Sequence, residues 1–167
     1  ATKIALYFSL GLVGIGTVSY WLLEQEGTLA GMSPFGQLTT SVFQSATRTS
    51  GFNTIDIGQV GIPMLFLIII LMFIGSSSSS TGGGIKTSTF SIVLADVWRT
   101  VRSLDHVQLF KRTIPDVLRS RAYSVLLFFL VGNTVAIFML TITEAEILNT
   151  PGHSILDLIF EEVSAFG

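Results

Sequence analysis

Phe73-Ile74-Gly75, five serines from Ser76 to Ser80, and Thr81-Gly82-Gly83-Gly84-Ile85-Lys86-Thr87 break into an apolar run. Ile62 to Ile74 carries no polar side chain before this stretch, and Ile85 to Val97 resumes a mixed helical pattern after it. One continuous helix from Ile62 to Val97 would reach about 54 Å, far beyond about 30 Å of hydrocarbon. The chain therefore tilts strongly, breaks or projects from the bilayer, and the Gly/Ser run puts the break near midplane. Glycine costs about 1 kcal/mol against alanine in a helix, and serine competes for backbone hydrogen bonds. A second unusual stretch lies upstream, Thr47-Arg48-Thr49-Ser50-Gly51-Phe52-Asn53-Thr54. Non-helical backbone at membrane depth persists only where it is buried in protein or lines water. Two such interruptions in one short chain point to an ion path.

Composition supports a membrane setting. Of 167 residues, 49% are hydrophobic and 12% charged. A soluble domain carries roughly 25% charged residues, so this chain has too few to cover a surface facing water. Cysteine is absent, which excludes disulfides and thiolate metal sites. Ile4 to Leu23 is free of charge, about 30 Å long as a helix, and ends in Tyr20 and Trp21 as interfacial anchors. It is too long for the core of a signal peptide, and no cleavable leader is read.

Ser33 and Pro34 then open a short helix to about Ala46, near 20 Å long and too polar to span. A re-entrant half-helix fits it. Asp96 to Arg121 holds six of the nine basic residues and three acids. The stretches Glu24–Ile57 and Thr143–Asp157 hold three acids each and one base between them. The positive-inside rule makes the first segment cytoplasmic and the other two external. Ala122 to Ile142 is the next span, and Ser154 with Asp157 opens a second short helix, Ile155 to about Val163.

The second unit repeats the first, with Phe43-Gln44-Ser45-Ala46 and Phe160-Glu161-Glu162-Val163 in matching places. The expected class is an all-α integral membrane protein of repeated membrane helix–pore helix–membrane helix units, the second membrane helix broken. Residues 1–97 make one complete repeat, 98–121 a cytoplasmic linker, and 122–167 the first helix and pore helix of a truncated next repeat.

The residue chemistry agrees with conduction. Carbonyls turned inward replace an ion's water, and Gly51 supplies the backbone freedom such a loop requires. The short helix before it ends with partial negative charge that favours a cation. Arg48 is read as structural support, donating to carbonyls or pairing with a carboxylate, rather than as a selecting charge; a repulsive charge that helps ions leave is the alternative. Gly75 to Gly84 is read as a movable obstruction, being too long a run of small residues for close helix packing alone. Lys86 either caps that loop or reaches the interface. A phosphate loop is excluded because Ile85 separates the last glycine from Lys86. His106 and His153 are solitary, Glu161 and Glu162 do not face one another, and no nucleophile–base pair stands out, so no enzyme is read.

These stretches, with Leu109-Phe110-Lys111-Arg112-Thr113-Ile114-Pro115 and Phe160-Glu161-Glu162-Val163-Ser164-Ala165-Phe166-Gly167, resemble the Trk/Ktr/HKT superfamily of potassium transporters, most closely the Ktr membrane subunit. The resemblance implies that carbonyls of Thr49, Ser50, Gly51 and Phe52 line a potassium filter, and that Ser164, Ala165, Phe166 and Gly167 approach a second one. It implies a gating loop of Gly75, Ser76, Ser77, Ser78, Ser79, Ser80, Thr81, Gly82, Gly83, Gly84 and Lys86. It places the chain in the third and fourth of four repeats, as the C-terminal portion of a longer protein. The five serines depart from the family's usual mixture of glycine, alanine, serine and proline. The implied setting is the plasma membrane, with filter loops external. Potassium is the transported ion, with no covalently bound cofactor. The implied partners are lipid, the remaining repeats, a homodimer mate and a cytoplasmic nucleotide-binding ring, with no nucleic acid. A sodium-conducting relative, a non-conducting scaffold subunit and a nucleotide-using membrane enzyme are the alternatives.

Overall fold

The computed structural model describes residues 2–50, 52–75, 83–103, 108–109, 112–145 and 154–166. Gly51, Ser76 to Gly82, His106, Lys111, His153 and Gly167 lie outside the described residues.

Helix α1 runs over Thr2–Leu23 and α2 over Pro34–Thr47. Ser33 caps α2 by accepting from the Gly36 N–H at 3.2 Å, and Pro34 opens its first turn, where a missing N–H costs nothing. A single 3₁₀ turn, Ile57–Gln59, precedes α3, Ile62–Phe73. After the Gly/Ser interruption α4 occupies Thr87–Val101. A two-residue antiparallel ladder, β1 (Gln108–Leu109) with β2 (Arg112–Thr113), follows α4 in the chain. Helix α5 covers Asp116–Thr143 and α6 covers Ile155–Phe166. Ser154 and Asp157 close a reciprocal cap on α6, backbone N–H to side-chain oxygen in each direction, at 2.8 and 3.4 Å.

Packing follows a closed circuit: α1 against α3, α3 against α6, α6 against α5, α5 against α4, and α4 back against α1. Helix α2 lies along α1. Tyr20, Leu29, Val60, Met64 and Leu65 form the core at the α1 exit, with Phe160 and Leu156 of α6 packed on it. Ile69, Met72 and Val163 join α3 to α6.

Beside these apolar clusters the chain encloses several polar side chains and leaves long apolar helix faces exposed. Buried positions include Glu24, Ser41, Gln44, Ser45, Thr87, Asn133 and Glu162, while Phe128, Val131, Phe138 and Met139 of α5 are exposed. Helices α1 and α5 are long and apolar enough to cross a bilayer, yet only 17% and 6% of their most apolar windows are buried within the fold. A soluble core helix of that hydropathy would be covered; these faces meet lipid or further protein. The broken helix is observed as expected, with α3 stopping at Phe73 and α4 starting at Thr87.

Candidate ion path and its supports

The end of α3 sets the first problem. A helix that stops inside a bilayer leaves its last carbonyls without partners, and each unsatisfied group in hydrocarbon costs several kcal/mol. Three of the last four have partners among the described residues. The Ile74 N–H donates to Ile70 O at 3.3 Å, and the Ile85 N–H donates to Phe73 O at 3.1 Å across the interruption. Arg48 Nε donates to Leu71 O at 3.1 Å while its Nη1 donates to Ser45 O, also at 3.1 Å. The arginine thus straps the chain leaving α2 onto the broken end of α3. The sequence left carbonyls and a carboxylate as alternative partners for Arg48; the bonds observed go to carbonyls of the flanking helices.

The chain then makes a turn. The Ser50 N–H and hydroxyl both donate to Thr47 O, at 2.8 and 2.9 Å. Thr49 is half-buried in this turn and Ser50 is exposed. Phe52 is 70% exposed in the non-helical stretch that follows. Between this loop and α6 lies a cavity of about 140 Å³ lined by Gln44, Thr47, Arg48, Asn53, Phe160 and Ser164, among others. Gln44 Nε2 is buried with no hydrogen-bond partner among the described residues. Polar and apolar groups both line the cavity, which is roomy enough to hold water.

The interruption is pinched at its base. Gly75 is buried, and a Cβ added to it would collide with the Gly83 carbonyl oxygen. Gly84 has φ +69, and a Cβ there would lie 2.9 Å from Gly75 Cα. Only glycine meets both demands, a left-handed backbone and contact between two main chains. The Gly84 N–H donates to Phe166 O at 3.1 Å, joining the base of the loop to the last turn of α6. Phe129 of α5 stands edge-on to both Phe73 and Phe166, with ring centroids 5.1 and 5.6 Å apart. Lys86 is half-buried at the N-cap of α4.

Sequence reasoning ended α6 near Val163, whereas it continues through Phe166. Ser164 and Ala165 are exposed on its last turn, because nothing before Gly167 in that stretch opposes a helix. The burial of three further residues is not legible in the sequence. Ser45 donates to Val13 O at 2.8 Å, facing Gly16, where a Cβ would collide with the Ser45 hydroxyl. Glu162 is buried with both carboxylate oxygens unpaired among the described residues. Glu24 is 2% exposed and holds the Gly61 N–H at 2.9 Å. Gly16 opposite a polar half-helix was the one available signal; an acid after a span reads as a surface charge.

A family model described as cation transport protein, TrkH, matches residues 4–167. This chain belongs to the TrkH family. It is 41% identical over 99% of its length to Ktr system potassium uptake protein B of Vibrio alginolyticus, and 41% identical over 99% to Ktr system potassium uptake protein D of Bacillus subtilis. It is 34% identical over 99% to potassium/sodium uptake protein NtpJ of Enterococcus hirae. The match occupies 35%, 36% and 37% of those relatives, so the chain spans about a third of their length. TrkH membership makes it an integral membrane protein of a cation-transport family, in accord with the predominantly helical fold and its two apolar helices of membrane-crossing length.

Proposed function

We propose that this chain forms one complete repeat and part of the next in a longer potassium uptake protein. Ions pass down their gradient through a filter to which Thr49, Ser50, Gly51 and Phe52 contribute carbonyls, and past the Gly75–Gly84 loop. Residues 1–97 form the complete repeat, 98–121 the cytoplasmic linker, and 122–167 the start of the next repeat, with Ser164 to Gly167 approaching its filter. What supports this reading is the pairing of a half-length helix and turn at Arg48 with a broken span, one of whose end carbonyls, Leu71 O, that arginine satisfies. A scaffold helix gains nothing from a break at membrane depth; a conduction path needs one. The names of the relatives supply the ion.

The remaining repeats, a homodimer mate and a cytoplasmic nucleotide-binding ring complete the proposed assembly in the plasma membrane. No covalent chemistry is assigned to it. Potassium flux through the reconstituted full-length parent tests the reading. Gly51→Val abolishes flux or its preference for potassium over sodium while the protein still reaches the membrane. Unchanged flux and preference favour the scaffold reading. One relative is named for both potassium and sodium uptake, so sodium flux is measured beside potassium.

A further inference from the structure

Glu24 sits at the end of α1, 2% exposed, where a carboxylate carries a heavy desolvation cost. Among the described residues its hydrogen bonds come from neutral donors. Oε2 accepts from the Thr28 N–H at 3.2 Å and the Thr28 hydroxyl at 3.1 Å, and Oε1 accepts from the Gly61 N–H at 2.9 Å. The Thr28 hydroxyl also bonds the Tyr20 hydroxyl at 3.0 Å. Gly27 and Gly61 crowd the same group: a Cβ on Gly27 would lie 2.6 Å from Oε2, and one on Gly61 would lie 3.0 Å from Oε1.

Gly61 is where the chain descending from Phe52 enters α3. Val60, beside it, is buried against Tyr20 and Leu29, with Ile55 and Ile57 packed on the same cluster. The loop therefore has two fixed ends. Arg48 ties its start to Leu71 on α3, and Glu24 ties its finish to the end of α1. We propose that Glu24 is a positioning residue for the filter loop, fixing the carbonyl geometry through the Gly61 N–H. This rests on the filter reading above. A filter whose far end drifts still passes ions, but with altered oxygen spacing it binds potassium less well against sodium.

The test uses the reconstituted full-length parent, with flux expressed per molecule in the membrane. Glu24→Leu keeps the bulk and removes both acceptors. It raises the KM for potassium by about threefold to tenfold, the scale of one lost buried hydrogen bond, and lowers the potassium-over-sodium preference. Glu24→Gln keeps one acceptor for the Gly61 N–H but sets its NH2 against the Thr28 N–H, so it recovers most of the potassium preference and only part of the KM. Gly27→Ala, far from the filter in sequence, displaces the carboxylate and shifts both values as Glu24→Leu does; it serves if Glu24→Leu fails to reach the membrane. The proposal is overturned if Glu24→Leu or Gly27→Ala changes abundance alone, or if Glu24→Gln is as impaired as Glu24→Leu. Gly51→Val is run in parallel. If it leaves flux and preference intact, the filter reading fails; if it removes them while the Glu24 and Gly27 variants stay normal, only the positioning role fails.

Discussion

Arg48 shows how a charge earns its place beside a cation path. Its guanidinium donates to two carbonyls from different helices, Ser45 O and Leu71 O, and both bonds lie behind the turn. Lysine, a point donor, cannot match that fork. Arg48→Met leaves the Leu71 carbonyl orphaned at a cost of about 1–3 kcal/mol. A lower thermal unfolding midpoint of the solubilised parent checks this, and Arg48→Lys recovers only part of the loss. At Gly16 the constraint is steric. Gly16→Val collides with Ser45, and overpacking of this kind costs about 1–3 kcal/mol. Reduced membrane abundance and a lower unfolding midpoint are the expected result, and substitution at Gly11, with nothing within 4 Å of its Cβ direction, is the matched control.

At the scale of elements, the broken span behaves as two helices joined at a pinch. Gly84→Ala puts a side chain at φ +69 and against the Gly75 backbone. The left-handed backbone alone costs about 1–2 kcal/mol for a residue with a Cβ. The contact with Gly75 adds to that, so the variant is expected to lose flux and stability together, measured on the same preparation. The polar end of α4 is fastened differently. Asp96 accepts from Arg99 at 2.9 Å and from the Tyr123 hydroxyl at 2.7 Å, with Arg119 at 3.6 Å, which links α4 to α5. The arginines are about a quarter exposed, so screening limits their share. Asp96→Leu lowers the thermal stability by about 1–3 kcal/mol through loss of its charge-assisted bonds to Tyr123 and Arg99, and Tyr123→Phe alone, at a half-open hydroxyl, loses less. The helices and the break were legible beforehand because charge-free length and Gly/Ser content are local properties. The pinch was not: the triple glycine signalled irregular backbone, but its bond to Phe166 joins residues far apart in sequence.

The molecule as a whole leaves long apolar helix faces exposed while enclosing several polar side chains beside its apolar clusters. Low charge and high hydropathy announced those exposed faces. The positions of Glu24, Gln44 and Glu162 inside the fold were hidden, because an isolated acid or amide carries no mark of burial until the helices are packed. The candidate site was legible in outline for the same reason. Arg48 and the glycines stand out locally, whereas the partners that hold them, Leu71 O, Gly61 N and Phe166 O, are backbone atoms of unremarkable residues.

The central claim is that main-chain oxygens around Gly51 replace water on an alkali cation. Anomalous-difference density from rubidium, soaked into crystals of the full-length parent in place of potassium, tests it most directly. The account predicts a peak within coordination distance of the Thr49, Ser50, Gly51 and Phe52 carbonyls; ordered rubidium elsewhere in the protein with none at that loop would contradict it.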